Sequence, residues 1–196
     1  MQKRFKATIF GVLILLLTLS ACKANPSTND WKTFEIQEEP AIDVTFKLPP
    51  GWHVDYAPTV DIPGQWDVAL VPPLCSVDQG SEYSDNCISL TIQIKGQSDF
   101  DKQEFMNFVS QSITLNQTGE EKTILMGQNN FKVGSLTVYR YNHKLFIGEE
   151  EVQMSFIFFE TDGAYYYFVS ELPYPERDGE IAQELDLLIQ SVEVIN

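Results

Sequence analysis

Few side chains in this sequence are suited to chemistry, and their spacing limits what they can do. There are two histidines, His53 and His143, and three cysteines, Cys22, Cys75 and Cys87. His53 follows Trp52 at the mouth of a proline turn, and His143 lies between Tyr141 and Lys144 in a stretch of ambiguous pattern. Either could move a proton, but no nucleophile-elbow glycine pattern, zinc-ligand spacing or phosphate loop accompanies them. They read as ordinary polar histidines. The acidic sets Glu149-Glu150-Glu151 and Asp78/Glu82/Asp85 could offer oxygens to calcium. Neither has the regular spacing of a calcium loop, so both read as solvated charge runs. Tyr165-Tyr166-Tyr167 could line a ligand cleft, yet strand alternation sends neighbours to opposite faces, which favours core packing. The expectation is therefore no catalytic constellation, no metal and no cofactor.

Cys22 stands apart from the other cysteines by what precedes it. Lys3, Arg4 and Lys6 form a basic start, an apolar run follows from Ala7 through Leu17, and small residues lead into the cysteine. This is the build of a secretory signal peptide. The run is well short of the ~20 residues that a spanning helix needs. The stretch Leu19-Ser20-Ala21-Cys22 resembles the lipobox of bacterial lipoproteins and matches it at all four positions. That resemblance implies cleavage after Ala21 and acylation of the Cys22 thiol by chains such as palmitate, with the mature N-terminus held on a membrane. Burial of acyl chains contributes about 0.8 kcal/mol per methylene, and more than one chain makes the anchor stable. The expected location is the cell membrane or outer membrane, with the domain facing the periplasm or the exterior.

With Cys22 committed to lipid, Cys75 and Cys87 remain as an even pair in an oxidising compartment. The residues between them are polar and turn-rich, and a disulfide closing such a loop contributes roughly 3 kcal/mol in the chain-entropy model. A redox or metal-binding pair would want close spacing or a nearby histidine, and neither is present.

The organisation is then a signal peptide (1–21), a short lipidated tether (22–30) and one folded domain (31–196), large enough for a substantial core. The formal charge of the whole chain is −15, and loss of Lys3, Arg4 and Lys6 makes it three units more negative. So acidic a body is repelled by phosphate backbones, which argues against nucleic-acid binding.

Alternation marks the strands. Phe34 and Ile36, then Val44, Phe46 and Leu48, then Trp66 to Val71 show period-two patterning, and Ile88, Leu90, Ile92 and Ile94 give the cleanest example. Thr123 to Met126 and Phe131 to Arg140 read as strands about a turn at Gly127-Gln128-Asn129-Asn130, with Tyr141 to Glu150 as a protruding loop or hairpin end. Val152 to Glu160 and Ala164 to Glu171 form a hairpin across Asp162-Gly163. Helices are expected from about Phe100 to Thr114, capped by Ser98 or Asp99, and from about Asp178 to Val192. In the first, Phe105, Phe108, Val109 and Ile113 make the apolar stripe. This order argues for an α+β domain, a largely antiparallel central sheet flanked by helices.

The segment Thr45-Phe46-Lys47-Leu48-Pro49-Pro50-Gly51-Trp52 resembles the strand–proline–tryptophan opening of PsbP-like (Mog1/PsbP) domains. The ending Thr161-Asp162-Gly163-Ala164-Tyr165-Tyr166-Tyr167-Phe168, a proline-bearing link and a helix finishing Ile189-Gln190-Ser191-Val192, is similar to their C-terminal half. The likeness spans about residues 31 to 196 and implies an α/β/α sandwich. No family metal ligand or partner-contact residue maps onto these positions. The functional expectation is a non-enzymatic binding or scaffold module with a protein partner in the cell envelope. A carrier or sensor of a small ligand in a sheet–helix cleft is the alternative, and an envelope hydrolase comes behind both.

Overall fold

The computed structural model describes residues 28–34, 43–56, 62–73, 75, 88–114, 121–147, 150–173 and 179–195. The chain divides into two compact units, Met1–Asp30 and Trp31–Asn196. The described part of the first is one 3₁₀ turn, Thr28–Asp30. No helix among the described residues is long and apolar enough to cross a membrane.

The second unit is dominated by strands. In chain order they are β1 (Lys32–Phe34), β2 (Val44–Leu48), β3 (His53–Tyr56), β4 (Gln65–Val71) and β5 (Ile88–Ile94). Helix α1 (Lys102–Val109) follows, then β6 (Ile113–Thr114), β7 (Glu121–Val133), β8 (Leu136–Ile147), β9 (Glu150–Glu160) and β10 (Ala164–Pro173). Helix α2 (Glu180–Gln190) and β11 (Glu193–Val194) complete it. Eight strands form one sheet in the order β3-β4-β5-β10-β9-β8-β7-β6, and β1-β2-β11 form a second. Every pairing is antiparallel.

Register sorts the side chains. Because Tyr166 lies opposite Ile92 and Phe159, and Phe168 opposite Leu90 and Ile157, these residues share one face of the large sheet. On that face they form a single core with Ile181, Leu185, Leu188 and Ile189 of α2 and with Val44, Phe46 and Leu48 of β2. An edge-to-face contact between Phe46 and Phe168, 6.3 Å apart, joins the two sheets. On the opposite face α1 lays Phe105 over Tyr167 (4.8 Å) and Phe158 (5.6 Å).

Two local devices hold these layers. Pro49, Pro50 and Gly51 end β2 in a turn in which the Trp52 amide donates to the Pro49 carbonyl (3.2 Å). Gly51 takes the positive φ (84°) that the turn requires. The indole N–H of the buried Trp52 donates to Glu184 of α2 (2.7 Å). Burial raises the Glu184 carboxyl above its ordinary range and the Glu180 charge adds to this, against the lowering effect of the Trp52 bond. The second device is Asp43, whose carboxylate accepts from Tyr166 Oη (2.6 Å) and Thr161 Oγ1 (2.9 Å). Its carbonyl accepts from the Ile195 amide (2.8 Å), so one residue ties β2, the β9–β10 hairpin and the C-terminal segment. Burial, followed by the hydrogen bond and charge of Asp43, pushes the Tyr166 hydroxyl far above the ordinary tyrosine range.

Several expectations are corrected. The domain is not an α/β/α sandwich, and the central sheet is not flanked by helix layers. It is β-rich, with two antiparallel sheets and two helices among the described residues. The small sheet shares one face of the large sheet with α2, and among the described residues the other face carries the eight-residue α1. Helix α1 falls short of the expected span because Ser110 caps it and Ile113 and Thr114 turn into β6. Its N-cap is Asp101, which accepts from the Gln103 and Glu104 amides. Phe108 is 47% exposed and meets the sheet only by one ring edge, against Phe156 at 6.2 Å. Gly127 to Asn130 are not a turn either. They continue β7 past a bulge between Leu125 and Gly127, and the reversal comes at Gly134, with φ of 55°. Of the two alternatives for Tyr141 to Glu150 the hairpin end is the one formed, with Tyr141 to Ile147 a strand paired by β7 and β9. Ile36 lies outside the described residues.

Candidate functional site: a polar trough on the large sheet

The face that is apolar beneath α2 changes character along β8 and β9. Asn142 lies opposite Ser155 and Lys144 opposite Gln153, all on the α2 side, while Tyr141, His143 and Leu145 point the other way. Two adjoining clefts open there. One, about 320 Å³, lies between the sheet and the Ala182–Asp186 part of α2. The second, about 270 Å³, continues toward Met126 and Glu151, and the two share Asn142 and Gln153.

Charges along this trough are paired. Arg140 Nη2 meets Asp186 Oδ1 at 2.5 Å, and Lys144 Nζ meets Glu151 Oε1 at 2.6 Å. Ser155 Oγ donates to Asn142 Oδ1 (2.9 Å), which holds the amide and leaves its NH₂ as a donor. Arg140 Nε is buried with no partner among the described residues, although it is a donor beside the first cleft. The trough thus offers amide and hydroxyl groups without a net charge, an arrangement suited to holding a polar surface or ligand.

The residues singled out from sequence are not assembled there. His143 is 2% exposed. Its Nε2–H donates to the Val109 carbonyl at the end of α1 (2.7 Å), and its ring meets Phe156 edge-on at 5.4 Å. Its role is to fasten α1 to β8. His53 has a 60% exposed side chain, 3.6 Å from Asp55. Five strand spacings, about 24 Å, separate the strands carrying the two histidines. Among the described residues neither ring has a serine, threonine or cysteine partner. No group of three or more His, Cys, Asp or Glu among the described residues is placed to hold a metal ion. Glu151 is held by Lys144, whereas Glu149, Asp78, Glu82 and Asp85 lie outside the described residues. Tyr166 is buried, and Tyr165 and Tyr167 face Phe100 at 5.2 and 5.8 Å, as alternation predicts. Cys75 is half-buried and is not a free thiol. Cys22 and Cys87 lie outside the described residues.

A second polar cluster lies at the α1 end of β9. Burial acts to raise the Glu160 carboxyl, but hydrogen bonds and charge from Lys102 and Lys95 outweigh it and hold the group below its ordinary range. Sequence reasoning passed over Asn142, Gln153 and Ser155. Their signal was an alternation in which Arg140, Asn142 and Lys144 interleave with Tyr139, Tyr141 and His143.

No protein-family model and no curated protein matches the chain. Among solved structures it is similar to cyanobacterial PsbP (CyanoP) from Synechocystis sp. PCC 6803, at 15% identity and a TM-score of 0.54, over 90% of this chain and 99% of that one. It is also similar to the Ran-binding protein Mog1p of Saccharomyces cerevisiae, at 13% identity and a TM-score of 0.43, over 85% of this chain and 96% of that one. The first likeness establishes a PsbP-like fold; at these identities the fold is all that is shared.

Proposed function

We propose that the chain is a lipid-anchored protein of a bacterial cell envelope whose domain is a non-enzymatic binding module, with the trough along β8 and β9 as its binding surface. Residues 1–21 are a cleaved signal, acyl chains on Cys22 are the anchor, and 22–30 are the tether. The support is the basic start, the short apolar run and Leu19-Ser20-Ala21-Cys22. A Cys75–Cys87 bridge closes the polar loop ahead of β5.

The observation that carries the binding reading is the trough. It is an uncovered sheet face lined by Asn142, Gln153 and Ser155, with its charges already paired. Such a surface recognises a partner through hydrogen bonds, and the favoured partner is a protein of the envelope. A second reading, a carrier or sensor of a small polar ligand, is supported by the cleft of about 320 Å³ beside the partnerless Arg140 Nε.

The test replaces Gln153 with a photo-crosslinking residue in the native host. A discrete protein adduct that disappears with Asn142→Ala is expected. In the same cells Cys22→Ser should move the chain from the membrane to the soluble fraction. A small ligand retained in native mass spectra, without an adduct, would favour the second reading. Turnover of a substrate abolished by His53→Ala would contradict both.

A further inference from the structure

The large sheet ends differently on its two sides. On one side the outer strand β3 is four residues long, follows Pro49-Pro50-Gly51 and carries the exposed Asp55. Short length, proline and charge are the usual protections of a sheet edge. On the other side β7 is 13 residues long and pairs with β8 from Glu121 to Val133. Among the described residues its outer side is paired at Lys122 and Thr123 by β6, and the Leu125 amide donates to Ser112 Oγ (2.9 Å). From Gly127 to Val133 the register with β8 is one-to-one, because the bulge is confined between Leu125 and Gly127. This run therefore presents a straight row of backbone donors and acceptors, and Gly127 to Asn130 are exposed. It contains no proline, and Thr123 to Phe131 carry no charge. The nearest cation, Lys132, donates to Thr137 Oγ1 on β8 (2.6 Å), so its ammonium turns inward and away from the open side.

We propose that this edge pairs with β7 of a second copy about a two-fold axis, joining two large sheets into one. Charge selects the occupant. Copies of a chain with a formal charge of −15 repel over most of their surfaces, and an uncharged edge is where they can approach. An antiparallel register with Asn129 opposite its own copy sets Gln128 against Asn130 and Gly127 against Phe131, with no like charges facing. The central asparagines can exchange amide hydrogen bonds across the axis. The strand contact does not depend on the trough or on the anchor, although a shared membrane would raise the effective concentration of the copies.

The test uses the full chain in its native membrane, with Asn129→Cys and a short bifunctional maleimide; the parent chain treated identically gives the background. A crosslinked dimer is expected. Adding Gln128→Glu and Asn130→Glu, which sets acids across the axis and leaves the pairing with β8 intact, should lower its yield about tenfold with an unchanged melting temperature. A dimer that survives these charges would overturn the proposal by placing the contact elsewhere. A product containing only another protein would overturn the choice of a second copy, and absence of any product above background would overturn the edge itself.

Discussion

Strand β10 is paired on both sides and buries Tyr166 and Phe168 to 1% exposure, whereas β7, in the same sheet, carries five consecutive exposed residues, Met126 to Asn130. The difference follows from cover. Helix α2 and the small sheet shield β4, β5, β10 and the Ile157–Phe159 part of β9, and the inward positions there are apolar apart from Tyr166, bonded to Asp43, and the buried Ser170. Past that cover β7 and β8 run on, and the inward positions become Asn142, Lys144, Gln153 and Ser155. One half of the sheet is committed to holding the fold, and the other half can be spent on recognition.

The largest test of this contrast is Phe168→Ala, which empties the junction between the sheets. It should cost about 3–5 kcal/mol in chemical denaturation. Next comes Asp43→Ala, which strands the buried hydroxyls of Tyr166 and Thr161 and should cost about 1–3 kcal/mol. The same cluster sets an alkaline limit. The Tyr166 hydroxyl titrates higher in the folded state than in the unfolded chain, so the unfolded state loses its proton first. Its contribution is fully present below the ordinary tyrosine pKa of about 10 and is lost as pH rises above it. Tyr166→Phe should flatten that decline in a pH series of thermal melts. Lys102→Gln removes a partly exposed ion pair with Glu160 and should cost less than about 1 kcal/mol, shrinking further at high salt. Smallest of all, Asn142→Ala should change stability by no more than about 0.5 kcal/mol while removing the crosslinked adduct formed from position 153. A loss as large as that of Phe168→Ala would make the trough a structural element.

Legibility in the sequence followed the same division. Alternation located β2, β4 and β5, and β9 and β10 showed themselves through the Asp162-Gly163 turn that their hairpin needs. Helix α2 was readable from Ile181, Leu185 and Leu188, which meet the core at helical spacing. The failures cluster in the uncovered half. Gly127 to Asn130 look like a turn by composition, yet pairing with β8 keeps them extended, and nothing local announces a 13-residue strand. His143 reads as an ordinary polar histidine, but its bond to a helix end 34 residues away is a long-range contact that no local pattern encodes. The trough was hidden for a related reason. Asn142 and Gln153 become a site only once β8 and β9 are in register and the Ala182–Asp186 part of α2 forms the other wall of the cleft.

Residue-resolved amide hydrogen exchange on the dilute, monomeric protein tests the division most directly. The account predicts that amides of β10 and β5 exchange only on global unfolding, while every second amide from Gly127 to Lys132 exchanges quickly at the open edge. Uniform slow exchange along β7, matching β10, would contradict it.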